Sequence, residues 1–164
     1  MALYARRYGG PSFSICLMQI LPHFHAKELV PPRVWTMHKN GVVRAPWFLQ
    51  PRLLQLLSAF RKRWGPLKVN TWPAGGDLKE RGYRLPQTST GAQLSQHKLG
   101  AAVDFNPNGD RLTPDDIRQD IMDNEKHWYD CGLRAIEDGD IADTWVHADV
   151  RLTSLEGEIK VVRP

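Results

Sequence analysis

The sequence predicts a single α+β domain with a small, mostly antiparallel sheet flanked by helices. Three observations favour this fold class. The length of 164 residues suits one domain, 41% of the residues are apolar, and short strand-like runs alternate with helical patterns. Only two cysteines are present, Cys16 and Cys131, so neither a disulfide framework nor a Cys-rich metal site is available.

The sequence predicts two parts: an N-terminal arm or extension, 1–21, and a domain, 22–164. The arm ends in a mostly apolar run over 13–21 that imitates a secretion signal. Gln19 interrupts this run and no small-x-small cleavage pattern follows, so we expect no functional signal peptide. We interpret the run as a buried strand or as an extension that packs on a partner protein.

The first predicted elements of the domain are a loop-rich region and a helix. Residues 22–50 contain several prolines and little periodicity, so they are expected to wrap the domain as loops. Apolar residues then recur at helical spacing and predict a helix over about 50–64. Gly65-Pro66 ends this pattern. The repeating residues are Leu53, Leu56, Leu57, Phe60 and Trp64.

Strands and a second helix follow. Residues 67–72 and 101–105 have the composition and punctuation of strands. Thr113 is a good N-cap with Pro114 at the first helical position, and this predicts a helix that runs to about Tyr129. Two further strands are predicted over 133–137 and 144–152. No run of ~20 apolar residues occurs, so no membrane span is expected.

The net charge is mildly positive. Lys and Arg total 22 against 18 Asp and Glu, which gives +4. A basic surface favours anionic partners such as cell-wall polymers. Because the chain has no long Lys/Arg run and no recognised nucleic-acid motif, we expect no nucleic-acid partner.

A metal site is predicted by three residues in the second half of the chain. His97 and Asp104 offer a nitrogen and an oxygen ligand, and the small residues 100–102 between them let the backbone turn and approach closely. His147 lies on the predicted strand 144–152 and supplies a third ligand. Two histidines and one carboxylate leave a fourth tetrahedral position open, which is typical of a catalytic zinc site.

The segment Ser95-Gln-His97-Lys-Leu-Gly100-Ala-Ala102-Val-Asp104 resembles the signature Ser-x-His-x-x-Gly-x-Ala-x-Asp of the zinc D-alanyl-D-alanine carboxypeptidase and dipeptidase family. Trp145-Val-His147 is similar to the second motif of that family. The resemblance covers about residues 50–152 and is strongest to small phage-encoded members. It implies a Hedgehog-like fold, a Zn²⁺ cofactor and hydrolysis of peptidoglycan stem peptides.

The resemblance also implies roles for residues around the metal. Arg84, in Gly82-Tyr83-Arg84, matches an arginine that reaches the substrate, and its rigid guanidinium suits an oxyanion or a carboxylate. Ser95 belongs to the first motif, and Trp145 is expected to border the cleft. We therefore expect Arg84, Ser95 and Trp145 to contact the substrate.

The general base is the point at which the sequence departs from the family. Family peptidases usually place an acid three residues before the last zinc histidine, but Thr144 occupies that position. Asp143 could approach the metal through a bulge. Asp149 shares a strand face with His147 and is either the base or a group that orients a ligand histidine. Further candidates are Glu137, Asp138 and Asp140.

Two functions are compatible with these features. The first is a zinc metallopeptidase of the D-Ala-D-Ala carboxypeptidase or L-Ala-D-Glu endopeptidase type, phage-encoded and acting on the cell wall after release from the host cytoplasm or from a virion. The alternative is a non-catalytic virion structural or binding protein that retains the peptidase fold. Thr144 and the N-terminal arm, which could contact phage structural proteins, favour the alternative.

Overall fold

A five-stranded mixed sheet organises the part of the chain that the structure, a computed structural model, describes: residues 19–153 and 157–163. The strands in these ranges are β1 (Gln19–Leu21), β2 (Phe24–His25), β3 (Leu67–Lys68), β4 (Ala102–Pro107), β5 (Ala135–Glu137), β6 (Val146–Asp149) and β7 (Lys160–Val162). The helices are α1 (Ala26–Leu29), α2 (Pro32–Lys39), α3 (Pro51–Trp64), α4 (Pro114–Asp123) and α5 (Glu125–Asp130). Short 3₁₀ turns occur at Ala45–Phe48, Trp72–Ala74 and Gln96–Leu99.

The main sheet has the strand order β3-β4-β6-β5-β7, and its pairs are antiparallel except for the parallel pair β5–β7. In the central pair β4–β6, Asp104 lies opposite His147 and Val103 opposite Ala148. Side chains alternate between the two faces of a strand, so the first pair shares one face and the second pair shares the other. The predicted α+β class with a mostly antiparallel sheet is confirmed.

One face of the sheet is covered by helix α3 and an aromatic cluster. The predicted helix over 50–64 is confirmed as α3, and its apolar stripe is buried except for Trp64, which is half-buried. The ring of Phe60 lies 5.3 Å from that of Phe105 on β4 and 5.2 Å from that of Trp128 on α5. Because Phe105 and Val103 point into this core, Asp104 must project from the opposite face.

The expectation of loops over 22–50 was wrong. This region contains the helices α1 and α2 and a 3₁₀ turn. Pro32 starts α2 at its first position, where the missing N–H is no loss and the fixed φ favours the helix. The proline that suggested a loop is therefore a helix start.

Further predictions differ from the structure in extent, and one strand was not predicted. The helix expected from Thr113 to Tyr129 is divided into α4 and α5 at Asn124, whose backbone leaves the helical region. The strand expected over 67–72 pairs only as β3, because the chain turns into the 3₁₀ turn at Trp72–Ala74. Strand β7 was missed, and it completes the edge of the sheet beside β5.

The predicted arm, 1–21, lies mostly outside the described residues, since these begin at Gln19. The last three arm positions form β1, which pairs with β2 in a small hairpin. Among the helices that the structure describes, none combines the length and the apolar character needed to cross a membrane.

Candidate metal centre

Three side chains converge on the face of the sheet opposite the aromatic core. His97 comes from the 3₁₀ turn, Asp104 from β4 and His147 from β6, and all three are buried. His97 Nε2, Asp104 Oδ1 and His147 Nδ1 lie within 4.8 Å of one another, so the group could hold a metal ion. The sequence-predicted ligand set is thus brought together by the fold.

The spacing of these three atoms fits a tetrahedral ion. With ligand distances of ~2.0–2.1 Å, two ligands of a tetrahedral metal lie about 3.3 Å apart. His97 Nε2 is 3.1 Å from Asp104 Oδ1 and 3.3 Å from His147 Nδ1, and the third separation, from His147 Nδ1 to Asp104 Oδ1, is 2.8 Å. A small outward movement would accommodate an ion.

His97 is oriented by a backbone carbonyl. Its Nδ1 donates to the carbonyl of Gly82 at 2.8 Å, which leaves the Nε2 lone pair facing the site. The chain around Gly82 is itself fixed, because the Arg81 carbonyl accepts from Asp104 N and the Arg84 amide donates to His97 O.

Gly100 ends the 3₁₀ turn that carries His97. Its φ is +66, and an added Cβ would collide with the carbonyl of Phe48.

His147 is oriented by a carboxylate. Its Nε2 donates to Asp149 Oδ2 at 3.2 Å, so Nδ1 faces the site. Asp149 is fully buried and also accepts from Arg151, with Nε at 2.8 Å from Oδ1. Burial alone would lower the pKa of His147, but hydrogen bonds to Asp104 and Asp149 raise it to about 9. The two carboxylates thus favour a positive charge at this place in the site.

Asp104 is shared between the ligand triangle and an arginine. Its Oδ1 faces the two histidines, and its Oδ2 accepts from Arg84 Nη2 at 2.7 Å. Burial would raise the pKa of Asp104, but the attraction of His97 and hydrogen bonds from both histidines hold it well below its usual range. A carboxylate kept ionised in this way is suited to metal binding.

The other predicted site residues, Arg84, Trp145 and Ser95, differ in how they relate to the centre. Arg84 lies beside the centre through its ion pair with Asp104, and its Nε donates to the carbonyl of Glu80 at 2.6 Å. Trp145 is half-buried at the start of β6, with the Arg81 guanidinium 5.7 Å from its ring centroid. Ser95 caps the 3₁₀ turn that carries His97 and makes no side-chain capping bond.

The two main candidates for the base, Asp143 and Asp149, differ in position. Asp143 and Thr144 are exposed in the turn that precedes β6, and neither belongs to the ligand triangle. Asp149 is fully buried, and both of its oxygens are engaged by His147 and Arg151. This geometry favours the orienting role for Asp149, while its catalytic role stays a prediction.

Sequence reasoning missed two supports of the centre. Arg151 follows Asp149 by two residues, so strand alternation could have indicated that they share a face. The Gly82 carbonyl carries no side-chain signal, and only the tertiary fold shows it. Glu137, one of the further candidates, lies at the end of β5 with Oε1 3.8 Å from His147 Nδ1.

A groove of about 800 Å³ is lined by residues that lie near the centre along the chain, although none of the three candidate ligands lines it. Gln96 connects it to the turn of His97, and Arg151 connects it to Asp149. Arg52 and Lys160 add two exposed cations to its lining. The groove is therefore suited to a ligand that carries negative charge.

Comparisons with protein-family models, with curated proteins and with solved structures found no match to this chain.

Proposed function

We propose that the protein is a zinc-dependent metallopeptidase that hydrolyses the stem peptides of bacterial peptidoglycan. The observation that carries the proposal is the buried convergence of His97, Asp104 and His147, which provides three ligands and leaves one position of a tetrahedral ion open. The motif from Ser95 to Asp104 and the Trp145-Val-His147 motif support the same family.

A zinc ion held by these three ligands would supply Lewis-acid polarisation of the scissile carbonyl and an acidified water. The neighbouring residues of this chain have other tasks. Arg84, 2.7 Å from Asp104, presents a guanidinium beside the centre that can bind a substrate carboxylate or the oxygen of the cleaved carbonyl. Trp145, with the Arg81 guanidinium 5.7 Å from its ring centroid, would border the bound substrate.

The basic groove supports the choice of substrate. Peptidoglycan stems carry free carboxylates, and Arg52 and Lys160 offer cations within the groove that Gln96 and Arg151 also line. The net charge of +4 also favours approach to an anionic cell wall. We place the protein among phage-encoded lysins or virion components that reach the wall after release from the host cell.

A second candidate function is a non-catalytic virion structural or binding protein that keeps the fold and the metal. It is favoured by Thr144, which stands where an acid is expected and is exposed in the turn before β6. A hydroxyl at this place cannot act as the base at neutral pH.

The deciding experiment is a mass-spectrometric digest of purified peptidoglycan by the zinc-loaded protein. We expect new stem-peptide fragments with the wild type and none with His97→Ala. His127→Ala, which changes an exposed histidine of α5, is the matched control and should cleave normally. A folded, zinc-occupied wild type that releases no fragment would favour the structural alternative.

A further inference from the structure

Glu137 brings a carboxylate to the candidate metal centre from a neighbouring strand. The register of β5 and β6 pairs Ile136 with Ala148 and Ala135 with Asp149, so Glu137 is next to His147 on the same face. Glu137 Oε1 lies 3.8 Å from His147 Nδ1, one of the three ligand atoms. Its side chain is 17% exposed, so solvent reaches it.

The other acids near the centre are already engaged or too exposed. Asp104 binds Arg84 and belongs to the ligand triangle. Asp149 is fully buried between His147 and Arg151. Asp143 is exposed in the turn before β6. Within the described ranges, the Glu137 carboxylate has no side-chain hydrogen bond of its own; it forms the ion pair with His147 and acts electrostatically on Arg151.

Glu137 also lies outside the set of mutually close ligand atoms. The three atoms of the triangle are within 4.8 Å of one another, and Glu137 contributes none of them. The Glu137 carboxylate thus lies outside the ligand triangle but close to one of its atoms, and solvent reaches it. It can therefore contact a water molecule at the centre. This position matches the requirement for a general base, which must reach the proton directly or through one water.

We propose that Glu137 is the general base of this peptidase, an inference that rests on the proposed function. Glu137 takes a proton from water as the water oxygen bonds to the scissile carbonyl carbon. It returns that proton to the amide nitrogen as the C–N bond breaks, so water and peptide yield a carboxyl group and an amine. The adjacent strand β5 thereby supplies the acid that the family takes from the position of Thr144.

The experiment compares Glu137→Gln with the wild type in zinc binding and in hydrolysis of purified stem peptide. Glutamine keeps the size of the side chain but cannot accept the proton. We expect kcat to fall by at least ~100-fold, the usual scale of a lost general base, with KM nearly unchanged. Zinc stoichiometry should stay at one per chain, and zinc affinity, measured by chelator competition, should change less than about 3-fold, because the three ligands remain.

Glu158→Gln is the matched control, since it makes the same change at an exposed position. It should alter neither turnover nor zinc affinity. Three results would overturn the inference. A zinc affinity at least about 10-fold weaker in Glu137→Gln would make Glu137 a metal ligand or a group that orients His147, rather than the base. Turnover within about 3-fold of the wild type would show that another group is the base while the proposed function stands. A zinc-loaded wild type without hydrolysis would remove the proposed function, and the inference with it.

Discussion

Replacing Asp149 with Asn tests whether this buried acid orients His147 or takes part in the chemistry. The carboxylate is fully buried, accepts from His147 Nε2 at 3.2 Å and from Arg151 Nε at 2.8 Å, and also accepts from the Arg151 amide. Hydrogen bonds and ion pairs with these two residues hold the pKa of Asp149 below its usual value although burial opposes this shift. We expect Asp149→Asn to weaken both the fold and the metal site.

The expected loss of stability in Asp149→Asn follows from the number of hydrogen bonds that the amide can keep. Asn retains one accepting oxygen, and its NH₂ group opposes the donors of Arg151, so about one of the two charged interactions is lost. A hydrogen bond to a charged group is worth ~1.5–3 kcal/mol, and we expect the free energy of unfolding of the metal-free protein to fall by about 2–3 kcal/mol. Loss of a carboxylate that orients a ligand histidine typically weakens metal binding by ~10–100-fold.

The measurements are urea denaturation of the metal-free protein and competition for zinc with a chromophoric chelator. Asp120→Asn is the matched control, because Asp120 on α4 accepts from Arg63 and Trp64 of α3 rather than from site residues. This control should lose stability and keep its zinc affinity. Unchanged zinc binding in Asp149→Asn, together with lost turnover, would refute the orienting role and identify Asp149 as the base.

Three further predictions concern the ligands, the proton at the centre and the turn that carries His97. Replacement of His97 or Asp104 by Ala should abolish stoichiometric zinc binding, measured by metal analysis after gel filtration, and full occupancy in both variants would show that the ligand set is wrong. Because His147 has its pKa raised to about 9, zinc must displace a proton below that pH. Zinc affinity should therefore rise about 10-fold per pH unit between pH 6.5 and 8.5 in chelator competition, and a flat profile would contradict the raised pKa of His147. Gly100→Ala should lower the free energy of unfolding by at least ~2 kcal/mol in urea, because the new Cβ meets the carbonyl of Phe48 at a positive φ; unchanged stability would mean that the turn relaxes freely.

The features that were predictable from the sequence are those that depend on local patterns of residues. Helix α3 shows its apolar spacing and its Gly65-Pro66 end, and the alternation around His147 places that residue away from the core. The convergence of His97 and Asp104 was predictable because they are separated by small residues that permit a tight turn. Such signals need no knowledge of distant parts of the chain.

The features that escaped prediction depend on strand pairing or on context. From the sequence alone Pro32 suggests a loop, but in the structure it is the first residue of α2. Asn124 breaks a helical pattern whose periodicity continues past it. The approach of Glu137 to His147 exists only because β5 pairs with β6, and the Gly82 carbonyl reaches His97 only through the tertiary fold.

The antiparallel pairing of β4 with β6 makes the metal centre a test of correct sheet assembly. Asp104 and His147 are directly opposed in this register. Sliding β6 by one residue would turn its histidine to the other face of the sheet, since strand side chains alternate with a period of two. A misassembled chain would then lack the ligand triangle. Metal binding would thus report which molecules in a refolded sample have reached the native register. The bound ion would also stabilise only those molecules and so shift the population toward the native register.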